Sequence, residues 1–146
     1  MYLGSHLAVG LVIGKLTGDY TFALLGTIGP DVDHVYSYAK HGFFSSFKKF
    51  IKIATSEEDP YDDQRNYLHN IFIVTLICLL VFIFSYQIAG AFLFGYLSHL
   101  LMDAFDRADY FPLFPNRKIN LRGPIGYFSK YDIFISILLL IVFIII

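Results

Sequence analysis

Five side chains of ligand type stand where apolar segments of this chain begin or end: His6, Asp31, His69, His99 and Asp103. Imidazoles and carboxylates at the edge of a lipid phase are costly unless something compensates them, and a bound cation does so. A mixed His and Asp set favours zinc, one ion or two, with manganese or iron as alternatives; calcium and magnesium take all-oxygen shells. His99 and Asp103 lie four residues apart in GYLSHLLMD, which puts both on one helical face. A plain His–Asp hydrogen bond would satisfy the same spacing. Asp31 belongs to Gly29-Pro30-Asp31-Val32-Asp33-His34, where one or two groups can ligate while another orients a ligand. Arg65 and His69 repeat the four-residue spacing, and the guanidinium can clamp an anion or anchor a helix at headgroup level. His41 falls outside this rim and reads as a loop residue.

The elements that must position these groups are apolar. Residues 71–89 carry no charge and reach the roughly 20 residues that cross a bilayer. Residues 90–102 are again apolar, and 133–146 hold no polar group except Ser136. Residues 5–16 and 21–29 are each too short to span, and Thr17-Gly18-Asp19-Tyr20 between them has turn chemistry, so they predict a helical hairpin. Gly4, Ala8, Gly10 and Gly14 form a small-residue stripe that permits close helix approach. The pattern predicts an all-α, polytopic membrane helical bundle of about five helices, with a short N-terminal hairpin and three longer helices, in one domain over 1–146.

Helix order then fixes the geometry. If consecutive helices alternate direction, the five ligand-type residues all fall on one side of the membrane. Ten of the 11 basic residues sit in the loops of that side, at 30–68 and 105–131, and only Lys15 lies opposite. The positive-inside rule makes the site side cytoplasmic and the protein a multi-pass inner-membrane one. Phe43, Phe44, Phe47, Phe50, Ile51 and Ala54 recur at helical spacing among Lys48, Lys49 and Lys52, which predicts a basic amphipathic helix on the inner leaflet or over the bundle mouth. Residues 57–63 read as an acidic, solvated linker.

Composition agrees. The chain is 56% hydrophobic and 16% charged, with a mean hydropathy of +0.59; a soluble domain carries about 25% charged residues. A net charge of −1 excludes a generally basic nucleic-acid binder. The single cysteine, Cys78, cannot form an internal disulfide and reads as a small core residue. No basic segment and cleavage site precede the first apolar stretch, so no cleaved signal peptide is expected.

The order His6, PDVDH at 30–34, Arg65-x-x-x-His69, GYLSHLLMD at 95–103 and PLFP at 112–115 resembles the YdjM-type family of membrane-bound metal-dependent hydrolases. That family in turn is similar to zinc-dependent phospholipase C enzymes in its His/Asp pattern. The segment that usually reads R-G-x-T-H-S is here Arg65-Asn66-Tyr67-Leu68-His69-Asn70, and Asp106 stands where threonine is common. The ligand residues are intact and the substrate contacts are altered. The resemblance implies a metal-dependent hydrolase. In it His6, Asp31, His69, His99 and Asp103 bind zinc, Asp33 serves as general base or bridging carboxylate, and His34 is its partner or a further ligand. Arg65 holds a substrate's negative charge. The partners expected are membrane lipids, with an anionic headgroup or phosphoester as substrate. A non-catalytic metal-binding or structural membrane protein is the other reading of the same residues.

Overall fold

Gly18 ends α1 (Leu3–Thr17) in the left-handed region at φ 77°, which a residue with a Cβ adopts only under strain. The Asp19 side chain then accepts the Phe22 amide at 3.0 Å and starts α2 (Tyr20–Ile28), so the N-terminal hairpin forms as its turn residues predict. The structure, a computed structural model, describes residues 1–56 and 59–146. Residues 57 and 58, part of the expected acidic linker, lie outside the described residues. After a 3-10 turn at Gly29–Asp31 come α3 (Val32–Lys40), α4 (Phe47–Ala54), α5 (Ile71–Phe84), α6 (Tyr86–Ala104) and α7 (Lys130–Ile145). The fold is all-α, with no strand among the described residues.

Two expectations are corrected. Residues 71–89 do not form one helix: Ser85 is extended (φ −164°, ψ 122°), and its hydroxyl accepts the Ile88 amide at 3.4 Å. That cap ends α5 after 14 residues and begins the 19-residue α6. At 1.5 Å per residue α5 is about 21 Å long, against about 30 Å of bilayer hydrocarbon. No helix among the described residues is long and apolar enough to cross a membrane. The second correction is α3, which occupies part of the stretch read as loop.

α2 and α6 cross at a glycine pair. A Cβ on Gly26 would run into the Phe92 carbonyl oxygen, and one on Gly95 into the Ala23 carbonyl. Only hydrogen at both positions allows backbones this close. Gly10 of α1 faces Thr27 of α2 with equally little room, so part of the predicted small-residue stripe does line a helix contact. Beside this crossing, Val74, Cys78, Tyr96, Leu100 and Tyr110 form a buried cluster, with Cys78 in the core role expected of it. α7 is tied to α1 by polar groups instead: Ser5 Oγ donates to Asp132 Oδ1 at 2.5 Å and lies 2.7 Å from Ser136 Oγ, all buried. Phe82, Ile83 and Phe84 on α5 and Ile144 and Ile145 on α7 remain exposed. Apolar surface of that kind marks contact with lipid or another protein.

The loop at 105–129 folds onto the end of the bundle where α6 finishes. Arg107 N donates to Ile125 O at 2.9 Å, Ile125 N to Phe105 O at 3.0 Å, and Ile71 N, at the start of α5, to Pro112 O at 2.9 Å. These bonds seat the residue before α5, Asn70, and hence His69, against the end of α6.

Candidate metal centre

Five helix ends meet under this loop. His6 comes from the first turns of α1, Asp31 from the turn after α2, and Asp33 and His34 from the start of α3. His69 precedes α5, and His99 and Asp103 lie one turn apart near the end of α6. His6, His69 and His99 are fully buried and Asp103 is 1% exposed. The structure thus brings together all five residues read as ligands.

The two central histidines have their tautomers set by outside partners. His99 Nδ1 donates to the Thr27 carbonyl at 2.7 Å, and His69 Nδ1 donates to Asp33 Oδ2 at 3.1 Å. In the neutral ring each therefore carries its lone pair on Nε2. Those two Nε2 atoms lie 3.1 Å apart. Two lone pairs facing at that distance repel, and a proton or a cation between them removes the conflict. Asp103 Oδ2 completes the group, 3.2 Å from His69 Nε2 and 3.6 Å from His99 Nε2. Two nitrogens on one tetrahedral zinc, each about 2.0–2.1 Å from it, lie about 3.3 Å apart. The spacing of these donors fits such an ion.

Unsatisfied atoms point the same way. Asp103 Oδ2 and both ring nitrogens of His6 are buried with no hydrogen-bond partner. His6 Nε2 is 3.3 Å from Asp103 Oδ1 but is not aligned as a hydrogen bond, and its ring stacks on His99 at 4.0 Å. Three overlapping donor groups are close enough to share an ion: His6, Asp31 and His99; Asp31, His34 and His69; and His69, His99 and Asp103. Among the described residues, the four carboxylates Asp31, Asp33, Asp103 and Asp106 have the Arg65 guanidinium and the Met1 amine as their fixed cations. The residues fit a divalent cation.

The remaining site residues fall into place around this core. Asp33 Oδ2 accepts the Leu68 amide at 2.7 Å as well as His69 Nδ1 at 3.1 Å. Through these bonds Asp33 orients the His69 ring. His34 Nδ1 bonds Gln64 Oε1 at 2.9 Å, which leaves Nε2 toward Asp31 Oδ1 at 3.5 Å. Burial, then the neighbouring His69 and Arg65, push the His34 imidazole down to about 3, so it is neutral and fit to ligate at neutral pH. Arg65 donates Nη2 to Asp106 Oδ2 at 2.8 Å, and its Nε lies 3.1 Å from Asp103 Oδ2, an ion-pair contact that is not aligned as a hydrogen bond. Nη1 is buried and unpartnered. The Met1 amine adds contacts to Asp103 Oδ1 at 2.8 Å and Asp106 Oδ2 at 2.6 Å.

The YdjM inner membrane protein family matches residues 1–146. The chain belongs to that family. No curated protein and no solved structure matches it. Within this YdjM-family chain, sequence reasoning missed the Thr27 carbonyl and Gln64, neither of which has a side-chain signature for its role. Asp106 did leave a signal, as a carboxylate where the resemblance leads one to expect threonine.

Proposed function

We propose that this chain is a membrane-bound metal-dependent hydrolase that cleaves a phosphoester, or another ester, of a lipid or its headgroup at the cytoplasmic membrane interface. One observation carries the reading. His69 Nε2, His99 Nε2 and Asp103 Oδ2 converge within 3.6 Å of one another. Beside them opens a cavity of about 490 Å³ whose walls include Asp31, His34 and Arg65.

His69, His99 and Asp103 would hold one ion, and Asp31 with His6 or His34 would hold a second. Zinc bound there would supply Lewis acidity, making water a nucleophile near neutral pH and polarising an ester or phosphoryl oxygen. The chain's own groups do the positioning. Asp33 and the Thr27 carbonyl fix the two imidazoles. Arg65 keeps Nη1 for a substrate oxygen while its other nitrogens brace Asp103 and Asp106.

A lipid substrate is supported by the surface around the cavity. Phe47 and Ile51 of α4, with Phe44 just before it, stay exposed beside Lys48, Lys49 and Lys52. A basic amphipathic helix of this kind seats in the headgroup layer of an anionic leaflet. The C-terminal residue of α4, Ala54, lines the cavity. Lys15, the one basic residue expected opposite, bonds Phe143 O near the end of α7. This arrangement supports a cytoplasmic, site-bearing end and a far end almost free of cations.

The test is metal analysis of the purified protein, followed by phospholipid and generic phosphodiester cleavage with and without chelator. Bound metal with no cleavage of any ester would leave the second reading, a non-catalytic metal-binding or structural membrane protein. Arg65 and the Met1 amine already pairing Asp103 and Asp106 is the observation in favour of that alternative.

A further inference from the structure

The cavity beside the metal centre has a mixed-charge wall in which nearly every charge is already answered. Asp62 pairs with Arg117, and Asp106 with Arg65. Asp109 lies 3.7 Å from Arg122 and accepts Asn120 Nδ2 at 3.0 Å. Arg107 Nε donates to the Pro124 carbonyl at 3.1 Å. Among the described residues of the wall, two buried side-chain atoms have no partner: Arg65 Nη1, a donor, and Asp59 Oδ1, an acceptor. Arg65 is 8% exposed, so its free nitrogen is not answered by bulk water. Asp59 Oδ2 accepts only the Gln64 amide at 3.0 Å, and no described cation of the chain comes within ion-pair distance of the carboxylate. A donor on the buried Arg65 and one oxygen of the half-buried Asp59 are thus left without partners in residues that line one cavity, and each is costly until a ligand supplies the complement.

We infer that this cavity binds a phosphoester carrying a primary ammonium group, with a phosphate oxygen on Arg65 Nη1 and the ammonium on Asp59 Oδ1. A purely anionic headgroup would satisfy Arg65 and leave Asp59 facing a like charge. A glycerol headgroup would offer Asp59 a hydroxyl but no countercharge. An aminoalkyl phosphate answers both. Tyr38 and Tyr127 also line the cavity. The inference rests on the hydrolase reading for the reaction, while the binding claim stands on Arg65 and Asp59 alone.

Equilibrium binding tests it directly. The full chain, in detergent or nanodiscs, is titrated calorimetrically with O-phosphoethanolamine, glycerol 1-phosphate and ethanolamine, both zinc-loaded and chelator-treated. Phosphoethanolamine should bind about tenfold or more tighter than glycerol phosphate, the worth of one charge-assisted hydrogen bond. Asp59→Asn should abolish that preference and leave glycerol phosphate binding unchanged. Asp62→Asn, in the same wall but already paired, should leave the preference intact. If Asp59→Asn fails to fold, the ligand comparison on the unaltered chain still decides. Equal affinity for the two esters, or no binding of either, would overturn the inference. Nanodiscs of phosphatidylethanolamine, compared with phosphatidylglycerol, separate the sources: competition with the soluble ester assigns the lipid, and its absence assigns the free ester. Ester cleavage without amine preference would sink this inference alone, and amine-selective binding without cleavage would sink the hydrolase reading alone.

Discussion

His69 and His99 present their Nε2 atoms to each other at 3.1 Å while both Nδ1 atoms are held from outside, one by Asp33 and one by the Thr27 carbonyl. Two neutral rings so arranged oppose lone pair to lone pair. The arrangement becomes favourable once a proton or a cation lies between them, and where the occupant is a metal ion, site occupancy and folding stability should be coupled.

Removing one of the pair tests that coupling. His99→Ala should lower bound zinc to well under the unaltered stoichiometry, read by elemental analysis. Zinc at about 100 times its dissociation constant stabilises a protein by about 2.7 kcal/mol. That increment should appear in thermal melts of the unaltered chain and vanish in the variant. A zinc-independent midpoint in the unaltered chain would refute an ion at this position.

Asp33→Asn keeps every donor and removes the carboxylate that orients His69. Loss of such an outer partner typically costs 10–100-fold in metal affinity. Zinc competition against a chromophoric chelator should show a weakening in that range with stoichiometry preserved. An unchanged affinity would mean that the Leu68 amide and the loop packing hold His69 without help.

The convergence itself was legible because each of the five ligand-type residues sits at a helix terminus and successive helices alternate direction. His6, Asp31, His69, His99 and Asp103 had to share one end for that reason alone. The break at Ser85 was hidden because hydropathy measures how apolar a run is, not where its helix restarts. The signal was present as a serine ahead of Tyr86-Gln87-Ile88, whose hydroxyl captures the Ile88 amide. α3 was obscured by the acidic and aromatic side chains of VDHVYSYAK, which give it little net hydrophobicity. Asp33's turn toward Leu68 and His69 depends on a loop-to-helix contact 35 residues away, which no spacing rule contains.

Arg65 is the hinge of the ion-pair network, hydrogen-bonded to Asp106 through Nη2 and within ion-pair distance of Asp103 through Nε. Burial opposes its charge, yet Asp103 and Asp106 beside it raise the guanidinium above its ordinary value. Arg65→Ala should therefore destabilise the fold by about 3–5 kcal/mol, the cost of leaving buried carboxylates uncompensated. Asp106→Asn in the same background should recover part of the loss, because the two positions share one interaction. Denaturant melts of the unaltered chain and the three variants of the cycle measure the coupling, and strict additivity would rule out a shared network.

Asp63 ties α3 to the segment that carries Gln64 and Arg65. Its carboxylate accepts Lys40 Nζ at 2.8 Å and His41 Nε2 at 2.9 Å, and also bonds Ser37 Oγ. Burial pushes the Asp63 carboxyl up, but the bonds from Lys40, Ser37 and His41 outweigh it and hold the group down to about 2. An unfolded aspartate titrates near about 3.9. Between those values the unfolded chain binds the extra proton, so stability must fall as pH falls. The clasp contributes fully above about pH 4 and is lost as pH drops through about 2. Thermal midpoints recorded from pH 5 to pH 2 should decline less steeply for Asp63→Asn than for the unaltered chain, with the gap between the curves closing toward the acid end. Amide exchange in α3 should rise over the same interval in the unaltered chain. Parallel midpoint curves would show that Asp63 is not what fastens α3 beneath the cavity.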